Sequence, residues 1–180
     1  MKYLSLFSGI GGFELGIQQA YEETKGNRSL GNGEQLSKEI DIRQREYSTN
    51  SSGKLGNGWG KRAECIGFSE IDKYAIQVYE KHFPTHKNYG DITKINADEL
   101  PDFDFLCGGF PCQAFSIAGK RGGFDDTRGT LFFDIARILK EKHPRLLLLE
   151  NVKGLLSHDN GNTFKTIIST LDELGYDLQW

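Results

Sequence analysis

The chain has 180 residues, 37% of them hydrophobic and 26% charged, which is one ordinary globular domain's worth of sequence with enough apolar material for a core. Its net charge of −3 excludes a global electrostatic pull toward nucleic acid, so any DNA binding must come from a local basic patch. Three cysteines, Cys65, Cys107 and Cys112, without a Cys-x-x-Cys spacing argue against a disulfide framework or a cysteine zinc site, and no run is long enough for a signal peptide or a membrane span, which together point to the cytoplasm.

Tyr3 to Phe7 reads as a first strand. It runs into Ser8-Gly9-Ile10-Gly11-Gly12 and then a helix marked by Phe13, Leu15, Ile17 and Ala20. From Glu22 to Arg62 the chain turns polar and rich in Gly, Asn and Ser, and Leu-Gly-Asn-Gly recurs at Leu30–Gly33 and Leu55–Gly58. This stretch reads as a mobile insertion, with a marginal helix near Gln35 to Arg45. Ala63 to Phe68 is a second strand ending at Ser69-Glu70. Lys73 to His82 is a helix stopped by Pro84, with Tyr74, Val78 and Tyr79 at helical spacing. Asn88 to Ile92 reads as a short third strand and Phe103 to Cys107 as a fourth. After the glycine-bearing loop Ala114–Gly129 comes an amphipathic helix, Thr130 to Lys142. Leu146 to Leu149 reads as a buried fifth strand, Thr163 to Leu174 as a helix closed by Gly175, and Tyr176 to Trp180 as the opening of a sixth strand. Strands alternating with helices define an α/β, doubly wound, mostly parallel sheet with right-handed crossovers.

Five short segments fall just after strands, where open α/β sheets bind ligands. Phe7-Ser8-Gly9-Ile10-Gly11-Gly12 combines a tight turn with free N–H groups at a helix start, which suits an anion, although a plain turn would use the same residues. Glu70 ends a strand as an acid able to accept ribose hydroxyls, although an exposed strand-end acid is more often simply solvated. Asp91 and Ile92 suit an adenine edge and face, against the ordinary alternative of an Asx-turn. Cys112 follows Pro111 and opens a loop carrying Lys120, Arg121 and Arg128, a setting for a reactive thiol and for phosphate contacts; Cys65 and Cys107 lie inside apolar strands and read as inert. Glu150 follows four leucines, where an acid must find a partner or stay protonated. A thiolate and an acid at one sheet edge can together attack an electron-poor ring.

Taken in order, Phe7–Gly12, Glu70, Gly90-Asp91-Ile92, Gly108-Gly109-Phe110-Pro111-Cys112-Gln113, Gly129-Thr130-Leu131 and Glu150-Asn151-Val152 resemble the 5-methylcytosine DNA methyltransferases of bacterial restriction-modification systems. Phe110 to Ile138 is similar to the short bacterial enzymes that methylate the inner cytosine of a four-base site. The resemblance covers Met1 to about Tyr21 and Ala63 to Trp180, and implies a Rossmann-like, S-adenosylmethionine-dependent methyltransferase domain. It implies cofactor contacts from Phe7, Gly9, Gly11, Gly12, Glu70, Ile71, Asp91, Ile92, Phe110, Pro111 and Leu131. It also implies catalysis by Cys112 and Glu150, DNA or flipped-base contacts from Gln113, Ser116, Lys120, Arg128, Asn151 and Val152, and no metal. The family's Gln-x-Arg-x-Arg segment, recognition domain and returning C-terminal segment have no match here. The expectation is therefore a catalytic domain over 1–180, incomplete in its sixth strand, in a bacterial or phage-infected cell. Its partners would be double-stranded DNA and a second polypeptide with the remaining motifs. A non-catalytic S-adenosylmethionine-binding remnant and an RNA cytosine C5-methyltransferase use the same residues and stand as alternatives.

Overall fold

The computed structural model describes residues 1–29, 63–111 and 131–180, with only the backbone for 24–29. The chain divides into two compact units, Met1–Phe13 with Glu64–Trp180, and Glu14–Ala63. Most of helix α1 (Gly12–Ser29) belongs to the second unit. It continues beyond Tyr21, into the stretch read as an insertion; the rest of that stretch, including the marginal helix near Gln35 to Arg45, lies outside the described residues.

Among the described residues the larger unit is built on four parallel strands, β1 (Lys2–Leu6), β2 (Glu64–Ser69), β3 (Phe105–Gly109) and β4 (Leu146–Glu150), in the order β2-β1-β3-β4. The chain moves outward from β1 to β2, then crosses back to β3 on the other side of β1. The switch point, where the loops after adjacent strands diverge, therefore lies between β1 and β3.

Alternation along β1 separates two apolar layers. Leu4 and Leu6 join Leu106 in the main core, against Phe132, Ile135, Ile138 and Leu139 of α3 (Leu131–Lys142) and Ile167 and Leu171 of α4 (Asn162–Glu173). Ser5 is in register with Phe68 of β2, which packs on α2 (Lys73–His82) through Tyr79. Helices thus cover both faces, as the doubly wound expectation requires. Burial of each large apolar side chain of α3 contributes about 1.5–3 kcal/mol before entropy is counted. On α2 the buried residue is Tyr79; Tyr74 and Val78 are exposed.

Three sequence expectations are corrected. Asn88 to Ile92 forms no strand. Asn88 makes a single parallel bridge to Phe68, after which the chain turns at Gly90 (φ 71) and Asp91 caps a 3₁₀ turn over Ile92–Lys94. Arg137 of α3 holds that turn, donating to the Ile95 and Ile92 carbonyls at 2.7 and 3.0 Å. Tyr176 to Trp180 is not a strand either. Gly175 ends α4 with φ 86, its N–H donates to Asp172, the Tyr176 N–H donates to Leu171, and the Tyr176 hydroxyl donates to the Pro144 carbonyl. This double closure takes the first residue of the would-be strand back onto the helix. Finally, β4 is not a buried strand: it lies at the edge of the sheet, and Leu146 and Leu148 are 49% and 51% exposed while Leu147 and Leu149 pack on the core.

Candidate active site

Because all four strands are parallel, their carboxyl ends share one edge. The segments singled out above, Phe7–Gly12, Glu70–Ile71, Phe110–Pro111 and Glu150–Val152, all start there.

The β1 loop is bent and anchored. Phe7 has φ 53, a left-handed conformation that costs a non-glycine residue about 1–3 kcal/mol, and its ring packs on the main core. Ser8 donates its N–H to the Ser69 carbonyl at 3.3 Å, and Gly11 donates back to Ser8 at 3.0 Å. Gly9 donates its N–H to Glu70 Oε2 at 2.9 Å. Glu70 Oε1 accepts from the N–H groups of Ile71 and Asp72 at 2.8 and 2.9 Å. A carboxylate has about four lone-pair directions, so three backbone donors fix its plane and leave room chiefly on Oε2. Asp72 then caps α2 by accepting from Tyr74 and Ala75.

A residue without an earlier role, Asn88, fastens the next segment. Its Oδ1 accepts from Gly90 and Glu70 N–H at 2.8 and 3.4 Å, and its Nδ2 donates to the Glu70 carbonyl at 3.2 Å. Ser69 Oγ donates to the Gly90 carbonyl at 2.6 Å. The only sequence signal was an Asn two residues before a Gly, which turns share widely. Asp91 Oδ1 accepts from both the hydroxyl and the N–H of Thr93, so the Asx-type cap is present. Those bonds, the hydroxyl first, hold the Asp91 carboxyl below the usual carboxylate range. Ile92 is only 3% exposed and belongs to the main core, whereas Ile71 is 74% exposed beside Glu70.

At the other side of the edge, Gly109 is in register with Glu150. A β-carbon on Gly109 would lie 2.8 Å from Glu150 Oε2, so the bare glycine leaves space for that carboxylate. Glu150 is exposed, so the need for a partner or a proton that a buried acid would have does not arise. Asn151 donates its side-chain amide to the Phe110 carbonyl at 2.6 Å and accepts from the Val152 N–H at 2.9 Å. Phe110 is buried against Phe132, one residue beyond the half-buried Leu131 that starts α3, while Pro111 and Val152 are exposed. Cys112, Gln113, Ser116, Lys120, Arg121 and Arg128 lie outside the described residues. Cys65 and Cys107 lie in β2 and β3, their thiols directed at the carbonyls of Gly67 and Leu4.

The donor set suits an adenosine-bearing cofactor. Gly9 donates to the oriented Glu70 carboxylate, and added β-carbons at Gly9, Gly12 and Gly90 would meet nothing within 4 Å, so the space at each of these glycines is open. Sheet order and loop positions are those of the open α/β sheets whose ligand sites lie at the strand carboxyl ends.

The comparisons narrow the class. Residues 1–180 match the model of the C-5 cytosine-specific DNA methylases, and the chain belongs to that family. It is 41% identical over 187 aligned residues to the type II methyltransferase M.NgoBV of Neisseria gonorrhoeae, covering 100% of this chain and 36% of the relative. It is 58% identical over 125 residues to M1.ScrFI of Lactococcus lactis subsp. cremoris, covering 69% of this chain and 32% of the relative. The chain thus spans about a third of the length of these relatives. The solved structure of Spodoptera frugiperda DNMT2 matches with a TM-score of 0.55 at 23% identity, over 97% of this chain and 41% of that one. A putative DNA modification methyltransferase encoded within an Escherichia coli prophage matches with a TM-score of 0.57 at 19% identity, over 96% of this chain and 38% of that one. These two likenesses concern the fold. Among the described residues no helix is long and apolar enough to cross a membrane.

Proposed function

We propose that this chain is the cofactor-binding and nucleophile-bearing part of a DNA cytosine C5-methyltransferase. It acts on duplex DNA together with a second polypeptide that carries the remaining motifs and the base-reading domain. The observation that carries the proposal is the bond from Asn151 to the Phe110 carbonyl. It ties the segment that leads through Pro111 to Cys112 to the strand end that bears Glu150.

S-adenosylmethionine would supply an electrophilic methyl group. Glu70 would orient its ribose, the Phe7–Gly12 loop its carboxylate, and Ile71 and Asp91 its adenine. The target cytosine must leave the stack to be reached. The Cys112 thiolate would add to C6 while Glu150 gives a proton to N3, which leaves C5 nucleophilic enough to take the methyl group. Loss of the C5 proton, return of the N3 proton to Glu150 and expulsion of the Cys112 thiolate would restore the ring. Lys120, Arg121 and Arg128 would lower the thiol pKa and contact phosphates, while Gln113, Ser116, Asn151 and Val152 would line the flipped base.

The alternative reading is a chain that binds the cofactor and catalyses nothing. Tritium transfer from labelled S-adenosylmethionine to duplex DNA separates the two. The expected result is no transfer by the 180-residue chain alone, transfer once a polypeptide with the remaining motifs is added, and none when Cys112→Ser replaces the parent in that mixture. Robust transfer by the chain alone would overturn the need for a second polypeptide. Cofactor binding without transfer in any mixture would favour the second reading.

A further inference from the structure

Next to the β1 loop sits an aromatic stack that the chemistry above does not use. The rings of Phe68 and Tyr79 stack at 3.8 Å, Phe83 tilts against Tyr79 at 5.1 Å, and His86 lies parallel to Phe83 at 5.0 Å. The Tyr79 hydroxyl and His86 Nδ1 are 3.0 Å apart. Phe68, Tyr79 and Phe83 are buried and form a cluster separate from the main core. A β-carbon on Gly11 would lie 2.7 Å from Phe83 Cε2 and 3.3 Å from Tyr79 Cδ2. Gly11 therefore rests directly on these ring edges, at a φ of 96 that side chains rarely adopt.

The same stretch of chain that carries the stack carries Glu70. The loop is thus gripped at two points by one segment, Phe68 to His86: at Gly9 by the Glu70 carboxylate and at Gly11 by the ring of Phe83. Gly11 in turn donates to Ser8, so the two points are joined through a closed turn. The Phe83 ring lies between those of Tyr79 and His86, and close-packed contacts of this kind transmit strain.

We infer that Phe83 is a positioning residue for the cofactor loop, its ring edge setting where the Ser8–Gly11 turn sits and so aiming the Gly9 N–H at Glu70. The link to cofactor rests on the function proposed above; the link to loop geometry does not.

The test uses the full chain labelled with ¹⁵N-glycine. In Phe83→Leu the Gly9 and Gly11 amide signals should shift, and Gly9 exchange with solvent should quicken about fivefold or more as its hydrogen bond loosens. Gly175, whose N–H donates to Asp172 at the end of α4, should keep its rate. S-adenosylmethionine affinity, measured by calorimetry, should fall about tenfold. Gly11→Ala approaches the same contact from the other side and serves if Phe83→Leu does not fold. It should shift the ring signals of Phe83 and His86, and the double variant should recover part of the affinity that Gly11→Ala loses. An unchanged Gly9 rate in folded Phe83→Leu would overturn the inference, as would equal acceleration of Gly9 and Gly175. So would unmoved Phe83 and His86 signals in Gly11→Ala, or additive losses in the double variant. A parent chain that binds no S-adenosylmethionine overturns the cofactor reading alone, and Gly9 exchange still decides the role of Phe83.

Discussion

Asn151 donates its side-chain amide to the carbonyl of Phe110, 41 positions earlier, at 2.6 Å. The bond joins the ends of two neighbouring parallel strands just past their last ladder pair, Gly109 with Glu150. Its removal should be felt as stability. Asn151→Ala is expected to destabilise the chain by about 1 kcal/mol, and Asn151→Asp by more, because a carboxylate would then face the carbonyl without a proton to donate. Urea unfolding of the three proteins checks the order.

Glu70 is the second prediction. Its two oxygens accept three backbone N–H groups, from Gly9, Ile71 and Asp72. Glutamine would turn an N–H₂ toward one of those donors. Glu70→Gln should therefore cost about 1–3 kcal/mol of stability and, on the proposed function, lower S-adenosylmethionine affinity more than tenfold. Thermal unfolding and calorimetric titration measure the two effects separately, and affinity equal to the parent's would remove Glu70 from the cofactor site.

The cysteines should differ in reactivity. Cys107 is fully buried in β3, and Cys65 is half-buried in β2. Under native conditions Cys107 should stay unlabelled by a disulfide reagent until the chain is unfolded. Cys112, which follows Pro111 in the sequence and is the proposed nucleophile, is expected to react first. Mass spectrometry of partly labelled protein reads the sequence of events, and early modification of Cys107 would contradict its burial.

Leucines on the two sides of the sheet should differ as sharply. Leu106 is wholly buried in the main core, whereas Leu148 is 51% exposed on edge strand β4. Leu106→Ala should cost about 2–5 kcal/mol, and Leu148→Ala about 1 kcal/mol or less. Denaturant midpoints decide it; equal losses would mean that the outer face of β4 is covered.

Burial holds His86 below its ordinary pKa of 6.5, with Nδ1 beside the Tyr79 hydroxyl. The unfolded chain then binds a proton more readily than the folded one. The contribution is fully present above the unfolded value and is lost as pH falls from about 6.5 toward the folded value. The melting temperature should drop between about pH 7 and pH 5, and the drop should shrink in His86→Gln. A His86→Gln variant with the parent's full pH dependence would assign the drop to other groups.

The local chemistry was legible in the chain itself. Apolar runs ending in Phe7-Ser8-Gly9, Ser69-Glu70, Gly109-Phe110-Pro111 and Glu150-Asn151 announced strands that stop at polar or glycine-bearing turns, because side-chain alternation and glycine turns are properties of neighbours in sequence. Four parallel strands, the helices between them and the Gly175 end of α4 followed from that pattern. Only the tertiary structure decided which ends meet. The order β2-β1-β3-β4 brings Gly9 to Glu70 across 61 positions, and Asn88, a plain turn residue in sequence, becomes the clamp between Glu70 and Gly90. It also decided that the edge strand Leu146–Leu149 leaves two of its leucines about half exposed, and that Asn88–Ile92 and Tyr176–Trp180, extended enough for strands, make none. Strand character in a sequence states a willingness to pair. Pairing itself is a hydrogen-bonded relation between distant segments, settled by which partners the packed core leaves within reach.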